Sequence, residues 1–476
     1  MASSVLTLFP QTPAEITRET SQRSLDSSHR RPTFALYTLG CKVNQYDSHQ
    51  ISRMLTQRGF RRVEFREIAD LYVIDTCTVT AEADRKSRKA AGRARRNNAD
   101  AVVAVTGCAA AYAAEQFQRV APDALVLNNT RKFELPDLAI QRLNEQQDWA
   151  QKYAQLRAQI GSEPMPVATR ERAVLKIQDG CNHKCSYCII PSVRGASVVQ
   201  SRAAVLQEAR VLVSEGAREL TITGVSMSDW GSGQRSEARD QKTAKSRNAE
   251  LCSLLRAVST IEGLERVRVS SLDPADVDDE FLRTVAETPK ICPHIHLALQ
   301  SGSAATLRRM RRRYTPEMFL SAARRWREIR PDGGLTTDII VGFPGETAED
   351  FDDSLRVARE ARFSAIHVFP YSPRAGTAAA ALPDHVAPPE QARRVAEWLK
   401  LASELARDYA TQFFDDFSSV LIEKIDGDIA EGLTPHYVKA RVQLAREHAQ
   451  GDIAGFRPAR WNGAELEGDE IAHRIA

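Results

Sequence analysis

The sequence predicts an α/β protein in three parts: an N-terminal parallel α/β sheet domain, a central partial (β/α)6 barrel and a small C-terminal all-β domain. An alternation of strand-like and helix-like patterns predicts the first two parts. Short apolar runs recur along most of the chain, and each is followed by a polar turn and a helix-like pattern, which is typical of parallel sheets. A change of pattern predicts the last part, because the C-terminal region consists of short strands with glycine-containing turns.

The N-terminal region predicts a tail followed by a sheet domain. Residues 1–31 are rich in Ser and Thr and contain no apolar stretch of the signal-peptide type, so we expect a flexible tail. Residues 32–145 form the predicted sheet domain, and the polar residues 146–166 form a linker. The strands of the sheet domain are predicted at Phe34–Leu39, Leu71–Ile74 and Val102–Val105.

Residues 167–400 predict the barrel, because helical patterns such as Ala203–Glu215 separate six β-type runs. In such barrels the chemistry lies at the C-terminal ends of the strands. The polar stretch Ser228–Ala249 predicts a long surface loop. The six runs are Val174–Ile177, Leu220–Thr223, Val267–Ser270, Ile295–Leu299, Thr336–Val341 and Ala365–Phe369.

Residues 401–476 predict the end of a helix (Glu390–Phe414) and a β-domain with strands at Val420–Ile425 and Tyr437–Val442. This region carries 8 basic and 14 acidic residues, whereas residues 31–160 carry 20 basic and 14 acidic ones. The net charge of +3 therefore hides a basic body and an acidic end.

Composition excludes several classes of protein. The longest apolar stretch, Ala101–Ala114, falls short of the about 18 residues that a membrane helix needs, so we expect no membrane association. Only 8 of 476 residues are cysteine, which predicts reduced thiols in a cytoplasmic protein rather than a disulfide scaffold. Nucleotide hydrolysis, zinc proteolysis and serine hydrolysis have no motif support, because the chain lacks Walker A, HExxH and GxSxG patterns.

Three cysteines follow three predicted strands of the N-terminal sheet. Cys41 lies in TLGCKVN, Cys77 in DTCTVT and Cys108 in VTGCAA, each directly after an apolar run. Because the carboxyl ends of parallel strands meet at one edge of a sheet, the three thiols should converge. Buried structural cysteines and a metal or cluster site both fit the positions, and the convergence favours the latter.

A second group, Cys181, Cys185 and Cys188, forms a C-x3-C-x2-C array after the first barrel strand. Thiolates so close together can hold three corners of a cubane iron–sulfur cluster and leave one iron open. Zinc is the rival interpretation, with His183 as the only nearby fourth ligand. The remaining Cys252 and Cys292 are expected to serve packing.

The array on the first barrel strand resembles the radical S-adenosylmethionine (SAM) enzymes. Further segments resemble the methylthiotransferases, whose fold comprises an N-terminal three-cysteine domain, a radical SAM barrel and a C-terminal TRAM domain. These segments run in the expected order from Thr33 to the C-terminus: TLGCKVNQYDS, DTCTVT, TGC, DGCNHKCSYCIIPSVRG, QSGS, RRRYT, DIIVGFPGET and HVFPYSPRAGT.

Within that family, GCKVN at Gly40–Asn44 is similar to enzymes that act on N6-threonylcarbamoyladenosine (t6A) at tRNA position 37. Enzymes acting on isopentenyladenosine usually show GCQMN there, and those acting on an aspartate of ribosomal protein S12 usually show GCPKN. The acidic C-terminal domain keeps the basic S12 substrate open as an alternative. A non-catalytic iron–sulfur protein that binds RNA is a further alternative, although electron carriers normally hold each cluster by four ligands.

The resemblance implies two [4Fe–4S] clusters and SAM. The cluster on Cys181, Cys185 and Cys188 would bind SAM through its open iron and generate the radical that removes the C2 hydrogen of adenine. The cluster on Cys41, Cys77 and Cys108 would deliver sulfur, and a second SAM the methyl group. The implied partners are the tRNA anticodon loop, an electron donor such as flavodoxin or ferredoxin, and a sulfur donor. A monomer is expected.

Residues near the strand ends are candidates for a SAM pocket, although an aromatic there can simply pack and a glycine can serve only its turn. They are Tyr187, Gly224, Gln300, Ser301, Gly342, Pro344 and Gly345. Two basic runs, Asp84–Arg96 and Arg308–Arg313, predict either solvated helix faces or contacts with tRNA phosphates. No role is predicted for Asp179 or Lys184.

Overall fold

The computed structural model describes residues 31–146, 149, 171–230 and 248–471. The predicted tail, the predicted linker and the loop Ser228–Ala249 lie almost wholly outside the described residues. Among the helices that the structure describes, none combines the length and the apolar character needed to cross a bilayer.

The N-terminal sheet is five-stranded and entirely parallel, in the order β2-β1-β3-β4-β5. Its strands are β1 (Thr33–Thr38), β2 (Arg61–Val63), β3 (Leu71–Thr76), β4 (Val102–Gly107) and β5 (Leu125–Val126). The apolar runs predict β1, β3 and β4. They miss β2 and β5, because strands of three and two residues are too short to show a periodic pattern.

Helices cover both faces of this sheet. They are α1 (Lys42–Gln57), α2 (Ala81–Asn97), α3 (Cys108–Tyr112), α4 (Ala114–Val120) and α5 (Leu135–Asn144). Successive residues of β3 point to opposite faces, so Val73 packs in the layer shared with α1 and α5, and Tyr72 packs in the layer shared with α2 and α4. The carboxyl ends of all five strands are left at one edge.

The central domain is a six-stranded, open parallel barrel, as predicted. Strands β6, β9 and β10 pair in one sheet and β11, β12, β13 and β14 in the next. Only Ser270 separates β10 from β11, so these two segments count as one of the six strands and carry the chain from one sheet to the other. The bounds are β6 (Arg172–Lys176), β9 (Glu219–Thr223), β10 (Arg266–Val269), β11 (Ser271–Leu272), β12 (His294–Leu297), β13 (Gly334–Val341) and β14 (Ala365–Pro370), with a short ribbon of β7 (Gln178–Asp179) and β8 (Val198–Val199).

Apolar side chains of these strands face the outer helices, and polar ones face the lumen. On β12, Ile295 belongs to the outer apolar layer, while Nε2 of His294 lies 3.0 Å from the hydroxyl of Thr336 on β13. Arg268 on β10 pairs with Glu219 on β9 at 2.7 Å, and both are buried. The outer helices are α6 (Ile190–Arg194), α7 (Arg202–Ser214), α8 (Ala249–Ser259), α9 (Asp279–Glu287), α10 (Ala304–Arg309), α11 (Pro316–Ile329) and α12 (Ala348–Ala361).

The C-terminal domain is a small closed barrel in the order β15-β16-β17-β19-β18, as the predicted all-β domain requires. Its strands are β15 (Ser418–Asp426), β16 (Ile429–Leu433), β17 (Lys439–Gln443), β18 (Ile453–Trp461) and β19 (Leu466–Glu470). The helix α13 (Pro388–Thr411) runs through position 400, where the sequence suggests a domain boundary. Trp398 of this helix packs on the central barrel, and Tyr409 packs in the C-terminal core. One rigid helix therefore joins the two domains.

Candidate active site

The first three cysteines lie at one edge of the N-terminal sheet. Cys41 follows β1 and precedes α1, Cys77 follows β3, and Cys108 opens α3 after β4. Cys41 is exposed, whereas Cys77 and Cys108 are buried. A Cβ added at Gly40 would lie 3.0 Å from the Cys77 sulfur, so glycine lets the β1 loop approach that thiol. The structure brings these three predicted residues together.

The neighbouring thiols lie close enough to affect the pKa values of the two buried cysteines, Cys77 and Cys108. Burial, followed by the thiols of Cys108 and Cys41, raises the pKa of Cys77. Burial also raises the pKa of Cys108 to about 11, although the guanidinium of Arg194 opposes that shift. Thiols crowded in this way become thiolates most readily when a metal takes up their charge.

Asn44 fixes the backbone around the first group. Its amide donates to the carbonyl of Leu39 at 2.8 Å, to that of Thr76 at 2.9 Å and to the carboxyl of Asp75 at 3.2 Å. One buried side chain therefore holds the loop that carries Cys41 against the end of the strand that precedes Cys77.

The second group lies in the loop between β7 and α6. Cys181, Cys185 and Cys188 are all partly exposed. The Cys181 amide donates to Gly195 at 3.1 Å, which closes the loop on itself. Burial raises the pKa of Cys188 to about 12, and the Cys185 and Cys181 thiols add to that shift. These three predicted residues also lie together.

Arg312 places a cation against the second group. Its guanidinium donates to the sulfur of Cys185 at 3.3 Å, to Asp273 at 3.3 Å and to the hydroxyl of Tyr314 at 3.1 Å. Arg312 belongs to the basic run Arg308–Arg313, for which the sequence predicts either a solvated face or contacts with tRNA. In the structure its guanidinium faces the cysteine loop. Its charge also opposes the burial that raises the pKa of Cys188.

The backbone amide of His183 donates to the Cys181 sulfur at 3.4 Å, but its imidazole bonds to other groups. Its Nε2 lies 3.2 Å from the hydroxyl of Ser226 and 3.1 Å from the guanidinium of Arg313. Arg309, of the same basic run, pairs with Asp350 at 2.8 Å. The imidazole therefore has partners other than a zinc ion. Within the run Arg308–Arg313, the exposed residues are Arg308, Arg311 and Arg313.

A buried ion network connects the two cysteine groups. Arg194, at the end of α6, donates to Asp179 at 2.8 Å and to Asp47 of α1 at 3.3 Å. Lys176 contacts Asp47 at 2.5 Å and Asp179 at 2.9 Å, and Lys132 contacts the same two carboxylates at 2.5 and 3.3 Å. Three cations share two carboxylates, so the network carries an excess positive charge.

Asp179 is a residue of this junction to which the sequence assigns no role. Burial raises its pKa, but Arg194 first and Lys176 next outweigh that effect and hold the pKa of Asp179 below its usual range. Its partners, Lys132, Lys176 and Arg194, come from three different elements, so no local sequence pattern predicts them. We call this set, Asp47, Lys132, Lys176, Asp179 and Arg194, the interdomain ion network.

Apolar contacts reinforce the same junction. Ile189 and Val193, which follow Cys188, pack directly on Cys108. Asn129 donates to the carbonyl of Val193 at 2.8 Å. The chain that leaves the second cysteine group therefore lies against the helix that opens with the first.

The segment after β14 closes the junction from another side. Arg374 pairs with Asp84 of α2 and contacts Thr78, and the amide of Ala375 donates to the hydroxyl of Tyr112 at 2.9 Å. Asp84 begins the other basic run, so part of that run packs inward rather than facing solvent. Lys89, Arg93 and Arg96 remain exposed on one face of α2.

Three of the candidates for a SAM pocket, Tyr187, Gln300 and Ser301, are held by different contacts. Tyr187 packs edge-on against Phe343 with ring centres 6.4 Å apart. Ser301 is buried and its hydroxyl lies 3.2 Å from that of Ser354 on α12. Gln300 bonds to β13 through its backbone, at the amide of Ile340.

Three of the glycines are required by their surroundings. A Cβ at Gly224 would lie 2.9 Å from the side-chain oxygen of Gln178. Gly342 and Gly345 have φ of +76° and +74°, which disfavour any other residue, and the buried Pro344 lies between them. Cys252 packs among apolar side chains of the barrel, and Cys292 is buried before β12, both apart from the two groups.

Comparison with known proteins matches both halves of this site. A model described as "Radical SAM superfamily" matches residues 175–358, and one described as "Uncharacterized protein family UPF0004" matches residues 33–128. The chain is 35% identical over 415 residues, 86% of its length and 89% of the relative's, to a threonylcarbamoyladenosine tRNA methylthiotransferase of Bacillus subtilis. A protein of the same name from Chlamydia pneumoniae is 34% identical and is covered to 98%, with 92% of this chain aligned. A tRNA-2-methylthio-N(6)-dimethylallyladenosine synthase of Syntrophotalea carbinolica is 34% identical over 84% of this chain and 90% of its own.

Arg194→Ala tests the interdomain ion network. Removing one cation leaves Asp47 and Asp179 short of partners in a buried site, which typically costs about 3–5 kcal/mol. We expect backbone amides of α1 and α6 to lose protection in hydrogen-exchange mass spectrometry. Arg131→Ala is the matched control, because Arg131 pairs with Glu134 at a surface where both side chains are 52% exposed. Equal protection in the two variants would contradict the role assigned to the network.

Proposed function

Because this chain belongs to the radical SAM methylthiotransferases, we propose that it adds a methylthio group to C2 of t6A at position 37 of tRNA. Enzymes of this class use SAM and a [4Fe–4S] cluster. The proposal is supported by two three-cysteine groups in domains that one ion network joins, together with GCKVN at Gly40–Asn44 and relatives named for t6A.

Each cysteine group is proposed to hold one cluster: Cys181, Cys185 and Cys188 the first, and Cys41, Cys77 and Cys108 the second. The donor sets fit, because each offers three thiols close together and no disulfide competes for them. When bound, the clusters and SAM supply one-electron cleavage, abstraction of a non-acidic hydrogen and sulfur for transfer, none of which side chains alone can provide.

The chain's own residues set the conditions for that chemistry. Arg312 donates to Cys185 and Arg194 lies beside Cys108. Each group therefore has an adjacent cation that opposes the burial-raised pKa of a thiol, Cys188 in the second group and Cys108 in the first. Tyr187, Phe343 and Tyr371 form an aromatic wall that excludes water beside the second group. The proposed SAM-contacting set is Tyr187, Gly224, Gln300, Ser301, Gly342, Pro344 and Gly345.

The proposed division of labour follows the three parts of the chain. Residues 32–145 deliver sulfur, residues 167–400 generate the radical, and residues 401–476 close the far end of the barrel. An electron donor of the flavodoxin or ferredoxin kind, a sulfur donor and a cytoplasmic location complete the proposal. The exposed cations of α2 are proposed to contact tRNA phosphates.

A second substrate has one specific observation in its favour. One relative is named as a dimethylallyladenosine methylthiolating enzyme at nearly the same identity as those named for t6A. Isopentenyladenosine at position 37 is therefore the second candidate, and the S12 aspartate is an outcome that the same experiment detects.

The substrate proposal is tested by nucleoside mass spectrometry. The enzyme is reconstituted anaerobically with iron and sulfide and given SAM, a reductant and tRNA carrying either t6A or isopentenyladenosine, with S12 in a parallel reaction. We expect methylthiolated t6A as the dominant product. A methylthio group chiefly on isopentenyladenosine or on S12 would contradict the proposal.

The same assay separates the roles of the two cysteine groups. Cys181→Ala should abolish SAM cleavage, because the radical-generating cluster loses a ligand. Cys41→Ala should retain SAM cleavage but form no methylthiolated product, with about half the iron of the parent. Cys252→Ala is the control, and both activities should persist. SAM cleavage by Cys181→Ala would overturn the assignment.

Binding of tRNA tests the exposed face of α2. Replacing Lys89, Arg93 and Arg96 by Gln should weaken affinity and lower the slope of log affinity against log salt by about 2–3, since each lost phosphate contact removes about 0.7–0.9. The control replaces Arg324, Arg356 and Lys400, which lie exposed on α11, α12 and α13. An unchanged slope of log affinity against log salt in the α2 variant would contradict the proposed contacts between α2 and tRNA phosphates.

A further inference from the structure

A loop of the C-terminal domain reaches into the floor of the central barrel. Arg268 of β10 donates to the carbonyl of Pro435 at 2.9 Å, which anchors this loop. The ring of Tyr437 stacks on His294 with centres 4.4 Å apart, and the Arg268 guanidinium lies 5.0 Å from the same ring. Tyr437 has φ of +67°, an uncommon conformation for a side chain of this size. The tyrosine is thus held inside the barrel by contacts on two sides.

Lys42 reaches the same place from the N-terminal domain. It follows Cys41 directly, and its ammonium lies 5.9 Å from the centre of the Tyr437 ring. Within the described residues no carboxylate lies within ion-pairing distance of this ammonium. Lys42 is half-buried, so an unpaired cation faces the barrel interior next to a proposed cluster ligand.

The other cations around Tyr437 are already paired. Arg268 is held by Glu219 at 2.7 Å, and Arg172 is held by Glu423 at 2.9 Å. Burial raises the pKa of Tyr437, but Lys42, Arg172 and Arg268 outweigh it and lower the pKa overall, with Glu219 opposing them. Of these three cations, Lys42 is therefore the one that the ion pairs of the described residues leave without a carboxylate.

We propose that Lys42 binds the carboxylate of the threonyl group of t6A and so selects this nucleoside. The inference rests on the proposed function. Threonylcarbamoyl substitution places a carboxylate at the end of a side chain on N6, whereas adenosine and isopentenyladenosine carry no charge there. An adenine presented to Cys41, Cys77 and Cys108 has Lys42 at the next position of the chain.

The motif comparison falls on the same residue. The third letter of GCKVN is Lys42, and GCQMN and GCPKN replace it by an uncharged residue. A cation here suits a substrate with a carboxylate, and it would be left unpaired and partly desolvated by an apolar substituent. The Tyr437 ring gives the ammonium a cation–π contact that holds it in place before substrate arrives.

The test compares binding of two anticodon stem-loops, one with t6A and one with unmodified adenosine at position 37. Fluorescence anisotropy is measured on reconstituted parent enzyme and on Lys42→Gln, which keeps most of the length and removes the charge. We expect Lys42→Gln to bind the t6A stem-loop about 10- to 100-fold more weakly, as loss of a charge-assisted hydrogen bond predicts, and the unmodified one unchanged. Lys42→Arg should keep most of the preference.

Two controls separate recognition from damage. Lys400→Gln, at a side chain 79% exposed on α13, should behave as the parent. The iron content of Lys42→Gln should equal that of the parent, which shows that the neighbouring Cys41 still holds its cluster. A Lys42→Gln enzyme that keeps the full preference for t6A, or loses affinity for both stem-loops equally, overturns the inference. A parent enzyme that methylthiolates t6A but binds both stem-loops equally also overturns it, whereas a parent that fails to methylthiolate t6A rejects the proposed function itself.

Discussion

The interdomain ion network is the constraint on which the rest of the site depends. Burying Asp47, Lys132, Lys176 and Arg194, with Asp179 partly exposed beside them, is costly. The cost is offset only when every carboxylate meets its cations at short distance. Asp47 comes from the N-terminal domain and Asp179 from the barrel, and Arg194 contacts both. The network therefore fixes how the two domains dock, and the docked domains place Ile189 and Val193, which follow the second cysteine group, against Cys108 of the first.

Charge and shape at the junction support the same chemistry. Each cysteine group has a guanidinium beside it, Arg194 near Cys108 and Arg312 at Cys185. The apolar contact of Ile189 and Val193 with Cys108 keeps water from the seam between the domains. Tyr437 brings the C-terminal domain into the barrel from the opposite end. All three domains thus contribute side chains to one interior.

Much of the architecture is readable from the sequence, because buried parallel strands are near-continuous apolar runs and the cysteines follow them directly. The runs at Leu71–Ile74 and Val102–Val105 predict β3 and β4, and the thiols at their ends meet as expected. What the sequence does not reveal is long-range pairing. Asp179 looks like a solvated charge beside a loop, and Arg312 looks like one of several arginines in a basic run. Their roles depend on partners from other elements, and only the folded chain shows which charges turn inward.

The central claim is that the two cysteine groups hold two clusters that face each other across the ion network. Electron paramagnetic resonance of the reduced, reconstituted enzyme tests it directly. If both clusters are present and adjacent, the spectrum of the parent is broader and relaxes faster than the sum of spectra from Cys41→Ala and Cys181→Ala, because each variant retains only one cluster. A parent spectrum equal to that sum, or one unchanged by Cys41→Ala, would contradict the account.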